Sequence, residues 1–461
     1  MDRELFSRLD RMFYPRSVAV VGAGVDPTKV GHAVMDSLVT GKYEGAVYPI
    51  HTRHERAFDY PVFKDISDLP EAPDLAVVAL NQGASVKMVK RLNDLGVSGA
   101  VVLAGGYAEM GDTGRRLQED LIQAAGHMPI IGPNTLGFIN THSKLNVTFY
   151  PRVLCPGNIS FLSQSGGIGL SIKAQAHDQG VGFSKWIGVG NRANMEFHDW
   201  LDYLNMDDHT KVIGIFSEGS GAPRAMIEAL KRVSAKKPVV IYKGGQGEFA
   251  DKVTITHTGA AAGSTRVWRG AIKQSGVEIA QSVNELVCMC KALSIGDVPK
   301  GKSIGIFTHT AGPSIVAWDV LQRDPSCRLS DLSEKTLLDI ATILGPSVPV
   351  VYKNPVDGAA GAFLTKPFHD IAEVILKDED VDCLLAIFCE HKNWPYPTKA
   401  LIEVKNRFSK PVVACFIGSI EAMEPDRSLL HDSGIPTYSS PEEAAWGLKS
   451  LLTRSGAPLT D

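Results

Sequence analysis

The chain has 461 residues, which is long enough for about three domains of ordinary size. Its formal net charge of −4 at pH 7 disfavours nucleic acid as the main partner, because a phosphate backbone calls for a strongly basic face. No apolar run approaches the roughly 18 residues of a membrane helix. The N-terminus lacks the apolar core of a signal peptide, and the seven scattered cysteines are typical of reduced thiols, so we expect a cytoplasmic globular protein.

Apolar runs alternate with helical patterns through the first third of the chain. Strands are predicted at residues 17–21, 74–80, 99–103 and 129–131. Helices are predicted between them at residues 85–95 and 113–125. This alternation indicates a parallel sheet with helices on both faces.

The same alternation restarts twice, after breaks at residues 151–158 and 296–302. The second set of predicted strands lies at residues 159–162, 212–216 and 239–242, and the third set at 303–307, 383–388 and 411–416. The chain is therefore predicted to form three α/β domains in series, over residues 1–150, 151–297 and 298–461.

A glycine-rich turn follows the first predicted strand. Gly22 and Gly24 would let the backbone approach a phosphate, and the next helix would aim its N-terminal amides at it. The third glycine, Gly31, follows Gly24 after seven residues instead of three, so the turn departs from the dinucleotide fingerprint. The turn indicates a nucleotide or phosphate site, but it does not choose between NAD and a nucleotide-bearing thiol carrier.

The second domain is predicted to open with an anion-binding helix start. Ser163 and Ser165 supply hydroxyls directly after a buried strand, and Gly166 and Gly167 supply amides without side-chain cover. A serine that only caps the helix is the alternative, but one serine would be enough for that role.

Two further residues are candidates for covalent chemistry. His257 precedes a tract of small residues that leaves room for a phosphoryl group, and neutral imidazole is nucleophilic near pH 7. Glu218 follows an apolar strand and precedes glycines, so it is predicted at the sheet rim, where it would orient such a ring. A turn histidine and a solvated loop glutamate are the alternatives.

In this order the motifs resemble a known family. The glycine-rich first turn is followed by Gly132-Pro133-Asn134, Ser163-Gln164-Ser165-Gly166-Gly167, Gly188-Val189-Gly190-Asn191, Glu218 and Thr256-His257-Thr258-Gly259. The set is similar to the α subunit of the NDP-forming (ADP-forming) acyl-CoA synthetases, or acetate–CoA ligases, of the succinyl-CoA synthetase superfamily. The resemblance covers essentially the whole chain. It implies a Rossmann-like CoA-binding domain followed by two flavodoxin-like domains, the last of the ligase-CoA type.

The resemblance also implies a reaction and its site. Members interconvert an acyl-CoA, ADP and phosphate with a carboxylic acid, CoA and ATP, through an acyl phosphate and a phosphohistidine. The implied catalytic residues are His257 and Glu218. The implied phosphate-binding residues are Ser163, Ser165, Gly166, Gly167 and Gly259. The residues expected to contact CoA are Gly22, Gly24, Lys29, Gly31, His51, Gly105 and Asn134.

The family needs an ATP-grasp module to bind ADP, and all three units of this chain have the pattern of parallel α/β domains. We therefore expect an ATP-grasp β subunit as partner, in an α2β2 assembly, with Mg²⁺ on the nucleotide and no metal on this chain. The carboxylic acid is not specified. Two other functions stay open, an NAD-linked dehydrogenase with Glu55 near the ribose position, and a non-catalytic CoA-binding regulatory subunit.

Overall fold

The computed structural model describes residues 1–245, 265–345, 353–359, 365–391, 393 and 395–455. The described residues form two compact units, one of residues 1–177 and 181–283 and the other of residues 178–180 and 284–461. None of the helices in these ranges combines the length and apolar character that a membrane crossing requires.

The first unit begins with a five-stranded parallel sheet. Its strands are β1 (Ser17–Val21), β2 (Ala46–Ile50), β5 (Leu75–Val78), β6 (Gly99–Val102) and β7 (Ile130–Ile131). Between β2 and β5 the chain forms a separate antiparallel pair, β3 (Arg56–Ala57) and β4 (Tyr60–Pro61). The strand order is β2-β1-β5-β6-β7. The accompanying helices are α1 (Arg3–Phe13), α2 (Val30–Thr40), α3 (Gln82–Asp94) and α4 (Asp112–Ala125).

A seven-stranded sheet completes the first unit. Its strands are β8 (Phe138–Asn140), β9 (Leu145–Asn146), β10 (Pro156–Ser163), β11 (Phe183–Gly188), β12 (Val212–Ser217), β13 (Val239–Lys243) and β14 (Glu278–Ile279). The order is β14-β13-β12-β10-β11-β8-β9, in which β8 and β9 form an antiparallel extension on β11. Its helices are α5 (Gly166–Asp178), α6 (Phe197–Met206), α7 (Pro223–Ser234) and α8 (Thr265–Gln274).

The second unit contains a third parallel sheet. Its strands are β15 (Ser303–Thr308), β16 (Arg328–Leu329), β17 (Val356–Asp357), β18 (Cys383–Cys389), β19 (Val412–Ile417) and β20 (Thr437–Tyr438). The order is β16-β15-β18-β19-β20, and β17 pairs with β15. Its helices are α9 (Val283–Ile295), α10 (Ala311–Leu321), α11 (Glu334–Leu344), α12 (Thr365–Lys377), α13 (Thr398–Phe408), α14 (Ile420–Asp432) and α15 (Pro441–Thr453).

The five principal parallel strands of each sheet share one topology. In each sheet the first of these strands lies between the second and the third, so that the order reverses beside it. A crevice forms at the carboxyl ends of the strands at such a reversal, and ligands bind there. The predicted class of serial, doubly wound α/β sheets is confirmed, and the crevices of the first two sheets are where most of the described candidate residues lie.

Helix α1 joins the first two sheets into one core. The ring of Phe13 stacks on Tyr203 of α6 with centroids 5.0 Å apart and meets Phe138 of β8 edge-on at 4.7 Å. All three side chains are buried, and burial of an aromatic side chain of this size contributes about 1.5–3 kcal/mol. The β8–β9 hairpin lies before residue 150, yet it extends the second sheet, so the second sheet begins at Phe138, ahead of residue 150.

Candidate active site

The turn after β1 is built on direct backbone contact. Gly22 has φ +94°, and a Cβ atom there would lie 2.6 Å from the carbonyl oxygen of Ala79, which follows β5. A Cβ atom on Gly31 of α2 would lie 2.0 Å from the carbonyl oxygen of Gly22. The third glycine therefore allows close packing of helix on strand, although the turn before it is longer than in the dinucleotide fingerprint. Within the longer turn, the carboxylate of Asp26 accepts a hydrogen bond from the amide of Thr28 at 2.9 Å, which fixes the additional residues.

His51 follows β2 and faces the same turn. Its Nε2 lies 3.8 Å from the place where a Cβ atom of Gly24 would be, and its ring packs on His54 with centroids 4.3 Å apart. Nδ1 accepts from the amide of Arg53 at 3.1 Å, which leaves the proton of the neutral ring on Nε2. Burial, followed by the charges of His54, Arg53 and Lys64, lowers the pKa of His51. His51 thus presents an N–H group towards the turn at neutral pH, whereas Lys29, just ahead of α2, is exposed.

Gly105 and Asn134 meet at the ends of β6 and β7. Asn134 has φ +58°, and its Oδ1 would lie 3.1 Å from a Cβ atom on Gly105. Its Nδ2 donates to Oδ1 of Asn191, in the loop after β11, at 3.3 Å. The candidate CoA-binding edge of the first sheet is therefore in direct contact with the second sheet.

Glu109 reinforces this contact. Its Oε2 accepts from Nδ2 of Asn191 at 2.6 Å, and its Oε1 accepts from the amide of Gly106 at 2.5 Å. Burial alone would raise the pKa of Glu109, but the hydrogen bonds from Asn191 and Gly106 outweigh it and hold the pKa below the ordinary value. The carboxylate is charged at neutral pH and links a loop of the first sheet to a loop of the second.

A cavity of about 350 Å³ opens at this junction. Its apolar lining consists of Leu103, Leu136 and Phe149, together with the methyl-bearing Thr135. Its other lining residues are Asn134, Gln164, Ser165, Gly166, Gly167, Gly190, Asn191, Arg192 and Glu218. The lining thus includes apolar side chains that suit a small apolar group, together with backbone amides, amide side chains, one guanidinium and one carboxylate.

The helix start at this cavity is formed by Ser165, Gly166 and Gly167. Gly166 begins α5, and the Oγ of Ser165 lies 3.5 Å from the amide of Ile168, at the limit of a capping hydrogen bond. The helix N-terminus directs its first amides and its positive dipole end towards the space that Gly166 and Gly167 line. This arrangement suits an anion.

Ser163 does not join this group. Its hydroxyl is buried and donates to the carbonyl oxygen of Ser165 at 2.8 Å, and it is not among the described residues that line the cavity. That Ser163 binds phosphate stays a prediction, and in the structure its one hydroxyl proton fixes the turn that carries Ser165.

Glu218 reaches the cavity from the end of β12. Its amide donates to Oε1 of Gln164 at 2.9 Å. Gly244 directly follows β13, and its amide donates to the carbonyl oxygen of Ser217 at 2.9 Å. A Cβ atom on Gly244 would lie 3.7 Å from Cγ of Glu218. The chain directly after β13 therefore lies beside Glu218. His257 and Gly259 themselves lie outside the described residues.

Arg192 is the cation of the cavity wall. It has φ +58°, its side chain is 7% exposed, and its Nη1 donates to the carbonyl oxygen of Gly219 at 2.9 Å. Burial lowers the pKa of Arg192, whereas the charges of Glu196 and Glu218 oppose that shift. A guanidinium stays protonated at neutral pH even after such a shift, so the wall carries a fixed positive charge.

Sequence reasoning missed Gln164 and Glu109 at this site, and it considered Arg192 only as a donor to a hydroxy or dicarboxylic acid substrate. Gln164 stands between two serines that drew attention to themselves, and Arg192 follows a glycine–asparagine turn, so both had a positional signal. Glu109 had none, because its partner Asn191 is distant in the sequence and only the fold brings them together.

Two family profiles match the first unit. Residues 16–141 match the CoA binding domain family, and residues 156–293 match the succinyl-CoA ligase like flavodoxin domain family. The matches lie on the two sheets that meet at the cavity.

Similar proteins cover nearly the whole chain. The α subunit of acetate–CoA ligase (ADP-forming) II from Pyrococcus furiosus is 35% identical over 97% of this chain and 98% of its own length. Acetate–CoA ligase (ADP-forming) I from Archaeoglobus fulgidus is 33% identical over 96% of this chain, which spans 63% of that longer protein. Among solved structures, dinucleotide-forming acetyl-coenzyme A synthetase 1 from Candidatus Korarchaeum cryptofilum, in complex with phosphate and ADP, is 30% identical with a TM-score of 0.88 over 97% of each chain.

Proposed function

Because this chain belongs to the family of ADP-forming acetate–CoA ligase α subunits, we propose that its cavity forms an acyl phosphate from acyl-CoA and passes the phosphoryl group to His257. The enzyme is an acid–thiol ligase that interconverts acyl-CoA, ADP and phosphate with a carboxylic acid, CoA and ATP. The observation that carries the proposal is the meeting of three features in one cavity: Asn134 from the CoA-binding edge, the N-terminus of α5, and Glu218.

CoA is proposed to lie along the carboxyl edge of the first sheet. The turn from Gly22 to Gly31 offers backbone amides to its phosphates, and His51 offers an N–H group beside them. Gly105 and Asn134 lie at the other end of this edge, next to the cavity, and would receive the thioester end. Lys29 is exposed ahead of α2 and would add a positive charge at the phosphate end.

The proposed chemistry has three displacements. A phosphate oxygen attacks the thioester carbonyl, the carbon–sulfur bond breaks, and CoA leaves as the thiol after protonation. The ring nitrogen of His257 then attacks the phosphorus of the acyl phosphate, and the carboxylate leaves with the electrons of the broken P–O bond. An oxygen of the terminal phosphate of ADP finally attacks the phosphohistidine, which gives ATP and free histidine.

The described residues would supply charge and orientation to these steps. The amides of Gly166 and Gly167 would stabilise the negative charge that develops on the phosphoryl oxygens. Glu218 would accept a hydrogen bond from one ring nitrogen of His257, leave the other nucleophilic, and stabilise the phosphorylated ring. Ser165 also lines the cavity and is assigned to phosphate binding on the same grounds, whereas Gly259 is assigned to phosphate binding from its motif beside His257 alone.

ADP is proposed to bind on a second subunit. The Pyrococcus relatives are named as α subunits, and the Archaeoglobus relative is longer than this chain, which supports a second polypeptide beside it. We assign that partner to the ATP-grasp class in an α2β2 assembly, with Mg²⁺ accompanying the nucleotide. A cytoplasmic location is proposed because all seven cysteines, which fall within the described residues, are free.

The two other functions are not favoured by these relatives. A dehydrogenase would need an acid beyond β2 to grip the ribose of NAD, and His51 occupies the first position there while Glu55 is exposed. A regulatory subunit would have no use for Glu218 in a cavity lined by helix amides. Calorimetric titration with CoA and with NADH tests the first alternative, and uptake of ³²P from labelled acetyl phosphate tests the second.

A further inference from the structure

Two side chains form hydrogen bonds with the backbone of Glu218 and Gly219. Oε1 of Gln164 accepts from the amides of Glu218 at 2.9 Å and Gly219 at 3.3 Å. Nη1 of Arg192 donates to the carbonyl oxygen of Gly219 at 2.9 Å, so both backbone polar groups of Gly219 have a side-chain partner. The backbone at Glu218 is therefore fixed by two side chains that both line the cavity.

Arg192 is itself fixed by a carboxylate. Its Nε lies 3.4 Å from Oε2 of Glu196, and Oε1 of Glu196 accepts from the amide of Gly221 at 3.2 Å. A Cβ atom on Gly221 would lie 2.5 Å from that Oε1, so the loop approaches the carboxylate as closely as only glycine permits. Arg192 and Glu196 together hold the loop at Gly219 and at Gly221.

We propose that Gln164 and Arg192 are positioning residues that hold the carboxylate of Glu218 at the phosphoryl-transfer site and thereby set the rate at which His257 is phosphorylated. The inference rests on the proposed function, because it assumes that Glu218 acts on His257. A misplacement of about 1 Å among reacting groups lowers a rate by roughly 100-fold. We therefore expect that loss of either side-chain contact to the backbone at Glu218 and Gly219 has a large kinetic effect.

The place of Gln164 in the sequence supports this role. It joins the end of β10 to the start of α5, so one residue ties the carboxylate loop to the helix whose amides face the phosphate. The backbone conformation of Arg192, with φ +58°, is one that residues with a side chain rarely adopt, and such strain is found where a side chain must be held in one direction. Both features are expected of residues that align groups for a reaction.

The test uses the enzyme assembled from this chain and its natural partner. Labelled acetyl phosphate is mixed with the enzyme, the reaction is quenched at millisecond times, and the acid-labile, base-stable label on the chain is counted. The variants are Gln164→Met, Arg192→Met and Arg192→Lys, and Arg232→Met is the matched control because Arg232 pairs with Asp202 at the surface. We expect the maximal labelling rate of both methionine variants at the site to fall by about 10–100-fold, with a half-saturating acetyl phosphate concentration within about threefold of wild type.

Arg192→Lys keeps a charged donor and should recover a clear part of the rate that Arg192→Met loses. Wild-type affinity for CoA in all variants shows that the first unit is folded. If Arg192→Met fails to fold, Gln164→Met still tests the inference, because it removes no charged group. Wild-type rates in Gln164→Met, or equal rates in Arg192→Lys and Arg192→Met, overturn the inference. Label uptake at the wild-type rate in Glu218→Gln, or any label uptake in His257→Asn, instead overturns the proposed function, so the two failures are distinguishable.

Discussion

Gly22 and Gly31 touch through their backbones, since a Cβ atom on Gly31 would lie 2.0 Å from the carbonyl oxygen of Gly22. The contact brings the first turn of α2 against the turn after β1, at the point where the strand order of the first sheet reverses. A phosphate bound there receives helix amides only as long as this approach is kept.

Substitution Gly31→Ala should therefore weaken CoA binding. Alanine favours a helix over glycine by about 1 kcal/mol, but its methyl group would overlap a carbonyl oxygen that cannot move without the strand. We expect the dissociation constant for CoA, measured by calorimetry, to rise by about 10-fold or more, while label uptake from acetyl phosphate is retained. Gly83→Ala in α3 is the control because nothing lies within 4 Å of its Cβ position, and wild-type CoA affinity in Gly31→Ala would contradict the assignment.

Gly167→Ala should separate stability from phosphate binding. Nothing lies within 4 Å of a Cβ atom at Gly167, so alanine is expected to keep or raise the thermal midpoint by way of helix propensity, worth about 1 kcal/mol. Because Gly167 also lines the cavity, the methyl group should narrow the anion site and raise the KM for phosphate by about 10-fold in the direction of ATP formation. An unchanged KM would remove Gly167 from the site.

Lys173 in α5 gives a prediction about pH. Its side chain is buried against the ring of Trp186, with Nζ 4.2 Å from the ring centroid, and burial, aided by the charge of Arg152, lowers the pKa of Lys173 to about 8. The unfolded chain keeps the ordinary pKa of 10.5, so it binds more protons between about pH 8 and pH 10.5. The penalty for burying this ammonium is therefore complete below pH 8 and disappears as the pH rises through that window.

Replacement of this lysine by methionine should stabilise the first unit at pH 7. The gain expected is roughly 1–3 kcal/mol, because the cation–π contact offsets part of the cost of desolvation. Thermal midpoints of wild type and Lys173→Met, compared from pH 7 to pH 10, should converge with rising pH, whereas those of the exposed control Lys231→Met should keep a constant difference. A Lys173→Met protein that is less stable at pH 7 would show that the ammonium is satisfied where it lies.

Removal of Mg²⁺ should divide the reaction into two parts. If the metal accompanies ADP on the partner, EDTA stops ATP formation by the assembled enzyme but leaves phosphorylation of this chain by acetyl phosphate within about twofold of its normal rate. The two rates are measured in parallel by ATP-dependent luminescence and by acid-labile label. Loss of labelling on chelation would instead place a metal at the cavity.

Local pattern was enough to predict most of the longer strands. Strand β1 was expected at residues 17–21 and is observed as Ser17–Val21. A short run of small and β-branched residues is typical of a parallel strand that is buried on both faces. Strand β11 (Phe183–Gly188) was not predicted, since Ser184 and Lys185 interrupt its apolar pattern. Lys185 is nevertheless fully buried, and its Nζ pairs with Asp207 at 2.7 Å, a partner that sequence alone does not reveal.

The site shows the same division. Ligand contacts were predicted for the glycines at strand ends and for the start of α5, because glycine after a strand and before a helix leaves backbone amides uncovered. Gln164, Arg192 and Glu109 contact partners that only the fold supplies, and the hydrogen bond from the hydroxyl of Ser163 to the neighbouring turn was likewise not predicted. The reaction itself came from the order of motifs rather than from any single residue.

The most direct test of the account is the phosphorylation of His257. The assembled enzyme is incubated with ³²P-labelled acetyl phosphate, and the label on this chain is located by alkaline digestion and mass spectrometry. The account predicts acid-labile, base-stable label on His257, about 10-fold or more slower labelling in Glu218→Gln, and none in His257→Asn. Full labelling and turnover in His257→Asn would contradict it.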